Sequence, residues 1–189
     1  LERLHNDDTY RAFARADQMN LYESFISDAI DKATSDPKMK IEEKIAIVES
    51  AAINAVEAME AMKNEPMSET AYRMTVKAAK GLRGVIQTNP DALKKIYFQK
   101  GRNHDMILTH CKNVCALACR LAFILGHKSN ELDNLGAAAL LHDFGLNKLS
   151  HDEQQILFTR PPQHFTPDDK RIYHLHPTDA VEMLMNRPY

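Results

Sequence analysis

The residues best suited to chemistry are His-Asp dipeptides, which occur at positions 104–105, 142–143 and 151–152. Only the second follows a run that we expect to be buried, residues 136–141, whose small side chains would let another helix approach closely. This run ends near Gly145, where we expect the chain to turn away. Because burying an unpaired charge is costly, His142 and Asp143 need partners, and a metal ion is the simplest one. The other two dipeptides are typical of solvated helix starts.

A metal ion would need further ligands from elsewhere in the chain. His110 lies early in an apolar segment, where a single histidine is more often a satisfied core residue than a ligand. His176 precedes Pro177, and proline disfavours the helical conformation of the residue before it. The sequence therefore predicts a helix break at His176, from which its ring can point inward. His174 would point elsewhere.

The cysteines are spaced by four residues, at Cys111, Cys115 and Cys119, which places them on one stripe of a helix. Such a stripe is more often part of a core than a metal site, because thiolate sites usually have CxxC-type spacings. An odd number of cysteines without a disulfide framework is typical of a reducing cytoplasm.

Apolar periodicity and helix-breaking residues predict an all-α protein. The predicted helices span about residues 8–33, 41–62, 68–86, 91–99, 104–125 and 129–141, the last capped by Ser129. Ser150 with Glu153 forms a capping-box pattern for the next helix. Thr166 followed by Pro167 and two acids is a strong helix start. Thr178, after Pro177, is the predicted cap of a separate last helix.

Residue usage changes near position 81, which is the best indication of a domain boundary. All six glycines lie at or after Gly81, and eight of the nine histidines lie at or after His104. We interpret residues 1–88 as a helical module and residues 89–189 as a second unit. The first module would regulate or dimerise the second; the alternative is a helical bundle that only packs.

The candidate site residues lie in segments that together resemble one family. They are Thr109 to Val114, Ala138 to Gly145, Thr166 to Asp169, and the pair His176-Pro177. In order, spacing and flanking residues they resemble the bacterial HD-GYP domains of the HD phosphohydrolase superfamily. The resemblance covers about residues 89–186 and implies a partial HD-domain helical bundle.

This resemblance implies a site and an activity. His110, His142 and Asp143 would bind one divalent metal ion, and Asp143 would bridge to a second ion held in part by His176. Iron or manganese is favoured for such nitrogen and carboxylate ligands, and zinc also fits. Members of that family are phosphodiesterases that hydrolyse cyclic di-GMP, and a hydroxide shared by two metal ions is their nucleophile.

The chain departs from the family pattern at three places. Leu146 stands where the family has a lysine, so that Lys148 is our candidate for the catalytic, phosphate-contacting lysine. Ala180 replaces a glycine. The remaining family ligands would fall beyond Tyr189, so we expect the 189 residues alone to be inactive and the full-length protein to be active.

The composition limits the classes of partner that we expect. The net charge of -2 gives no indication of DNA binding, and we find neither a run of 18 apolar residues nor a signal peptide, so that no membrane partner is predicted and a cytoplasmic location is expected. The predicted partners are a cyclic dinucleotide and a second copy bound through the N-terminal helices. Two alternatives remain: a non-catalytic signalling scaffold like the degenerate HDOD relatives, and a nucleotide phosphohydrolase of the same superfamily.

Overall fold

The structure is a computed structural model that describes residues 18–61, 69–98 and 106–185. These residues form helices and no strand, which confirms the all-α prediction. The helices are α1 (Met19–Ser35), α2 (Ile41–Ala61), α3 (Glu69–Thr88), α4 (Ala92–Phe98), α5 (Met106–Ile124), α6 (Ser129–Leu141), α7 (His151–Thr159) and α8 (Pro167–Met185). Short 3-10 helices, Phe144–Lys148 and Pro162–His164, lie on either side of α7.

Most predicted helix ends are found where the capping chemistry placed them. Gly126 follows α5 with a φ of 87°, a left-handed conformation that favours glycine. Ser150 and Glu153 form the predicted capping box at the start of α7. Thr166 accepts a hydrogen bond from the backbone N–H of Asp169 at 3.1 Å and so caps α8. Residues 8–17 of the predicted first helix lie outside the described residues.

Two predicted caps are wrong. Lys128, not Ser129, is the N-cap of α6, and its backbone N–H donates to the Glu131 carboxylate at 2.9 Å. The predicted break at Pro177 and the cap at Thr178 are also absent, because α8 continues through Pro177 to Met185. The packing of α8 outweighs the loss of one backbone hydrogen bond: Ala180, on the turn after Pro177, is buried against Phe144 and Leu141.

The main core is shared by helices on both sides of residue 88. Ile30, Leu82, Cys115 and Leu140 belong to one continuous cluster of buried side chains, although they come from α1, α3, α5 and α6. The structural basis of this packing is close helix contact: a Cβ added at Gly136 would lie 3.0 Å from both the Ala79 Cβ and the Cys119 Sγ. The boundary after residue 88 stays a prediction.

Helix α5 forms part of this core and is also the most apolar helix. All three cysteines on it are buried free thiols, as predicted for a core stripe. Within the described residues one segment, Ile107–Ile124 of α5 with a mean hydropathy of 1.4, is long and apolar enough to cross a membrane. This is weak evidence for a span, because the core helices of soluble proteins have the same length and composition, and α5 packs along α6 and α3.

A buried ion pair joins α2 to α5, and its lysine lies two residues after His110. The Lys112 Nζ lies 2.6 Å from the Glu49 carboxylate and donates a second hydrogen bond to the carbonyl of Ile96 at 3.1 Å. Lys112 is 4% exposed and Glu49 is 7% exposed. Burial raises the pKa of Glu49, although the hydrogen bond from Lys112 opposes the rise.

We expect Lys112→Met to lower the free energy of unfolding by about 3–5 kcal/mol at neutral pH, because it leaves the Glu49 carboxylate buried and unpaired. The loss should shrink on acidification, since a carboxyl group whose pKa is raised in the folded state can then be buried neutral. Urea unfolding at pH 5 and pH 8 measures both effects. Lys95→Met, which breaks an exposed pair with Glu42, is the control and should lower the free energy of unfolding far less than Lys112→Met. Equal losses in the two variants would contradict the prediction.

Candidate metal centre

The four predicted metal ligands converge at the junction of α5, α6 and α8. His142 and Asp143 directly follow α6, His110 lies in the second turn of α5, and His176 lies in the middle of α8. Asp143 is the centre of the cluster: its Oδ1 lies 3.1 Å from the His142 Nε2 and 3.3 Å from the His176 Nε2. Its Oδ2 lies 3.5 Å from the His110 Nε2.

Backbone carbonyls fix the orientation of two of the histidine rings. The Nδ1 of His142 donates to the carbonyl of Ala139 at 2.8 Å, in the last turn of α6 where carbonyls lack helical partners. The Nδ1 of His176 donates to the carbonyl of Tyr173. That carbonyl is available because the residue that would bond it in the helix is Pro177, which has no N–H. In both rings Nδ1 therefore carries the proton, and Nε2 is directed at Asp143.

The charges of the cluster favour a cation at its centre. The hydrogen bond with Asp143 raises the pKa of His142 to about 10, with a further contribution from the Cys111 thiol. Burial lowers the pKa of His110, although the charge of Asp143 opposes this. Burial alone would raise the pKa of Asp143, but the hydrogen bond with His142 and the surrounding histidines lower it. Asp143 is thus an anion, and one positive charge is stabilised beside it.

The donor set fits a divalent metal ion. One ligand atom from each of His110, His142 and Asp143 lies within 4.8 Å of the others, and the Nε2 atoms of the two histidines are 3.3 Å apart. Two ring nitrogens that face each other beside a carboxylate need a proton or a metal ion between them. His176, whose Nε2 lies 3.3 Å from the Asp143 Oδ1, could provide a further ligand. Imidazole and carboxylate donors suit iron, manganese or zinc.

The cluster lies on the floor of a cleft of about 420 Å³. One wall is formed by the segment that connects α7 to α8, which contributes Arg160, Pro161 and Phe165, and another by Tyr173 of α8. Leu146, which is buried, also lines the cleft, at the position where a lysine was expected from the family pattern. A second cavity, of about 390 Å³ between α1 and α3, is lined by none of these ligands.

Gly145 brings α8 to the cluster. A Cβ added at Gly145 would lie 2.1 Å from the carbonyl oxygen of His176 and 2.7 Å from the backbone N of Ala180. The structure thus explains the glycine at position 145 by close packing and not by the predicted chain turn. The 3-10 helix after Asp143 packs directly on the backbone of α8. His176 reaches Asp143 because of this close contact.

Lys148, our candidate for the phosphate-contacting lysine, lies against α8. Its Nζ bonds to the Asp179 carboxylate at 2.6 Å and to the Glu182 carboxylate at 2.8 Å, and it does not line the cleft. Asp179 lies in the middle of α8, because the helix continues through Pro177. The catalytic assignment of Lys148 stays a prediction that requires its release from both carboxylates.

Sequence reasoning missed three residues of the site. The Cys111 thiol is a hydrogen-bond partner of His142, and Arg160 and Tyr173 line the cleft. Neither Arg160 nor Tyr173 lies in the segments that carry the family resemblance. A charged residue before Pro161 and an aromatic residue one helical turn before His176 were the available signals, and both are common outside active sites.

The fold and the site define this chain as an all-α protein with a His-Asp metal-type centre, and comparison with known proteins agrees. Residues 107–189 match the HD domain family. No curated protein sequence matches the chain significantly. The solved structure of Bd1817, an HDG"Y"P protein from Bdellovibrio bacteriovorus, superposes with a TM-score of 0.70 at 22% sequence identity. This match covers 91% of the present chain and 54% of Bd1817.

Residues 107–189 are therefore similar to the HD domain family, and the fold of the chain is similar to that of the HD-GYP protein Bd1817. The present chain spans about half the length of the Bd1817 structure. The overlap is too long to be confined to residues 89–189, so the helices before residue 88 also have counterparts in Bd1817.

Proposed function

We propose that the protein is a metal-dependent phosphodiesterase that hydrolyses a cyclic dinucleotide, with cyclic di-GMP as the substrate. The observation that supports this most directly is the convergence of His110, His142 and His176 on the two oxygens of Asp143 at the floor of an open cleft. The match of residues 107–189 to the HD domain family supports the coarser class, a metal-dependent phosphohydrolase.

His110, His142 and Asp143 would hold one divalent ion, and Asp143 with His176 would contribute to holding a second. Bound there, such ions supply positive charge to phosphate oxygens and make water acidic enough to act as the nucleophile. The chain's own residues do the positioning. The carbonyls of Ala139 and Tyr173 hold the rings of His142 and His176, and burial of Asp143 keeps competing water from its carboxylate.

The test is turnover of cyclic di-GMP by the full-length protein, loaded in turn with manganese, iron(II) and zinc. We expect conversion to the linear dinucleotide or GMP, separated by anion-exchange chromatography, and loss of turnover in His142→Ala. Cyclic di-AMP and bis(p-nitrophenyl) phosphate, supplied in parallel, show whether the base or only the phosphodiester is recognised. Metal binding without hydrolysis of any of these compounds would overturn the proposal.

A non-catalytic HD or HDOD-like scaffold is the second candidate. Leu146 favours it, because a buried leucine in the cleft cannot bind phosphate as a lysine would. The two functions differ in one measurement: a scaffold has no need of a metal, so full-length protein purified from cells should contain less than about 0.1 equivalents of iron, manganese and zinc. Bound metal in stoichiometric amount would exclude the scaffold.

A further inference from the structure

The cleft above the metal centre has one permanently cationic side chain among its described lining residues, Arg160. Leu146 provides no charge, and Lys148 bonds to Asp179 and Glu182 outside the cleft. A phosphodiester carries a negative charge. The protein must stabilise this charge in addition to cleaving the scissile bond. Arg160 is therefore the cleft residue with the charge and the geometry for this task, since guanidinium groups bind phosphate through two parallel N–H donors.

Arg160 is held in place at the cleft wall. It follows the last residue of α7, and Pro161 and Pro162 restrict the backbone after it. Its Nη1 donates to the Asp169 Oδ2 at 2.6 Å, and the same oxygen accepts the backbone N–H of Thr166 at 2.8 Å. Only this one of the five guanidinium N–H donors has a recorded partner among the described residues, and the side chain is 37% exposed.

An aromatic surface lines the same cleft as this guanidinium. Phe165 is buried and meets Tyr173 edge to face, with ring centroids 5.8 Å apart. Tyr173 is 46% exposed in the cleft, and its ring also lies 5.1 Å from that of the predicted ligand His176. An exposed ring that is fixed by its neighbours in the same cleft as a cation allows a nucleobase to stack on the ring while its phosphate binds the cation.

We infer that Arg160 and Tyr173 form a nucleotide subsite, in which Arg160 binds a phosphate group and Tyr173 stacks on the attached base. This inference rests on the proposed function, because it assigns the substrate-recognition residues of the same cleft. It also predicts that the protein compensates for Leu146 with a cation from the segment between α7 and α8. The competing explanation is that Arg160 only ties this segment to the start of α8 through Asp169.

The experiment measures binding of GMP and of inorganic phosphate to the manganese-loaded protein by calorimetry. Arg160→Met should weaken both ligands by about tenfold to hundredfold, the effect of losing a charge-assisted hydrogen bond. Arg160→Lys, which keeps the charge but not the planar fork, should have an affinity between those of Arg160→Met and the unchanged protein. Tyr173→Leu should lower the affinity for GMP by about tenfold and leave the affinity for inorganic phosphate within about twofold of the unchanged protein.

Two control variants separate recognition from structure. Asp169→Asn removes the ion pair but keeps an oxygen that can accept from Thr166, so it should leave affinity within about twofold if Arg160 binds phosphate. Equal losses in Asp169→Asn and Arg160→Met would show that Arg160 only ties the segment down, and would overturn the inference. Arg171→Met, which removes a largely exposed arginine paired with Asp168, should change neither ligand.

Turnover by the same variants separates this inference from the proposed function. If the protein hydrolyses cyclic di-GMP, Arg160→Met should raise KM more than it lowers kcat, and an unchanged KM would refute the subsite. If no cyclic dinucleotide is hydrolysed but Arg160→Met still weakens GMP and phosphate, the subsite stands and the proposed function fails. GMP affinity unchanged in both Arg160→Met and Tyr173→Leu overturns the subsite whatever the activity.

Discussion

Asp143→Ala is expected to reduce the affinity for manganese by more than about 100-fold and to leave the helical content unchanged. Loss of a group that only orients a metal ligand typically costs 10- to 100-fold, and Asp143 is itself at the centre of the cluster. Both of its oxygens face histidine nitrogens, and it is the only carboxylate in the candidate group within the described residues. His142→Ala should have a similar effect.

The second His-Asp dipeptide in the described structure offers a matched control. Asp152 follows His151 at the start of α7, is exposed, and lies in the first turn of the helix, as predicted for a solvated helix start. Asp152→Ala should therefore leave metal content and affinity unchanged. Metal content is measured by atomic spectroscopy and helicity by circular dichroism. Unchanged stoichiometry in both Asp143→Ala and His142→Ala would mean that the ligands have been misassigned.

Local sequence signals predicted most of the helices and the residues that the structure brings together in the cluster. The His142-Asp143 dipeptide is informative because a buried run ends there, and such a run cannot bury both groups without partners. Capping patterns such as Ser150 with Glu153 act through adjacent backbone groups, so a single segment contains the whole signal. That is why these features could be predicted without knowledge of the fold.

The failures arise where distant segments decide the outcome. Pro177 has the local signature of a helix break, but packing around Ala180 keeps α8 continuous. Lys148 has the sequence position of a phosphate-binding lysine, but two carboxylates on α8 bind it. Arg160 lines the cleft and bonds to Asp169 at the start of α8. None of these contacts is visible in the sequence around the residue itself.

Gly145 is another residue whose role depends on a distant segment, and it leads to the second prediction with a large effect. Its sequence context indicated a turn, but a left-handed backbone is not the reason for glycine here. Among the described glycines, the positive φ is that of Gly126. What requires glycine at position 145 is the lack of space beside α8, 2.1 Å from the carbonyl oxygen of His176. Because the obstacle is backbone rather than a flexible side chain, α8 and the 3-10 helix that carries Gly145 must separate to admit a methyl group.

We therefore expect Gly145→Ala to destabilise the protein by about 1–3 kcal/mol or more and to weaken metal binding, because α8 carries His176 away from Asp143. Gly84→Ala is the control: its added Cβ would meet only the side chain of Thr34, at 3.1 Å, and alanine favours the helix. Urea unfolding and manganese titration measure the two effects.

A double-mutant cycle with His176→Ala shows whether the change at Gly145 acts through this ligand. If it does, Gly145→Ala should reduce manganese affinity in the otherwise unchanged protein but have little further effect once His176 is absent. Full additivity of the two substitutions would mean that Gly145 supports the site by another route, such as the position of Asp143. Manganese affinity unchanged in Gly145→Ala itself would show that His176 is not a metal ligand, since its backbone and the 3-10 helix after Asp143 have to separate.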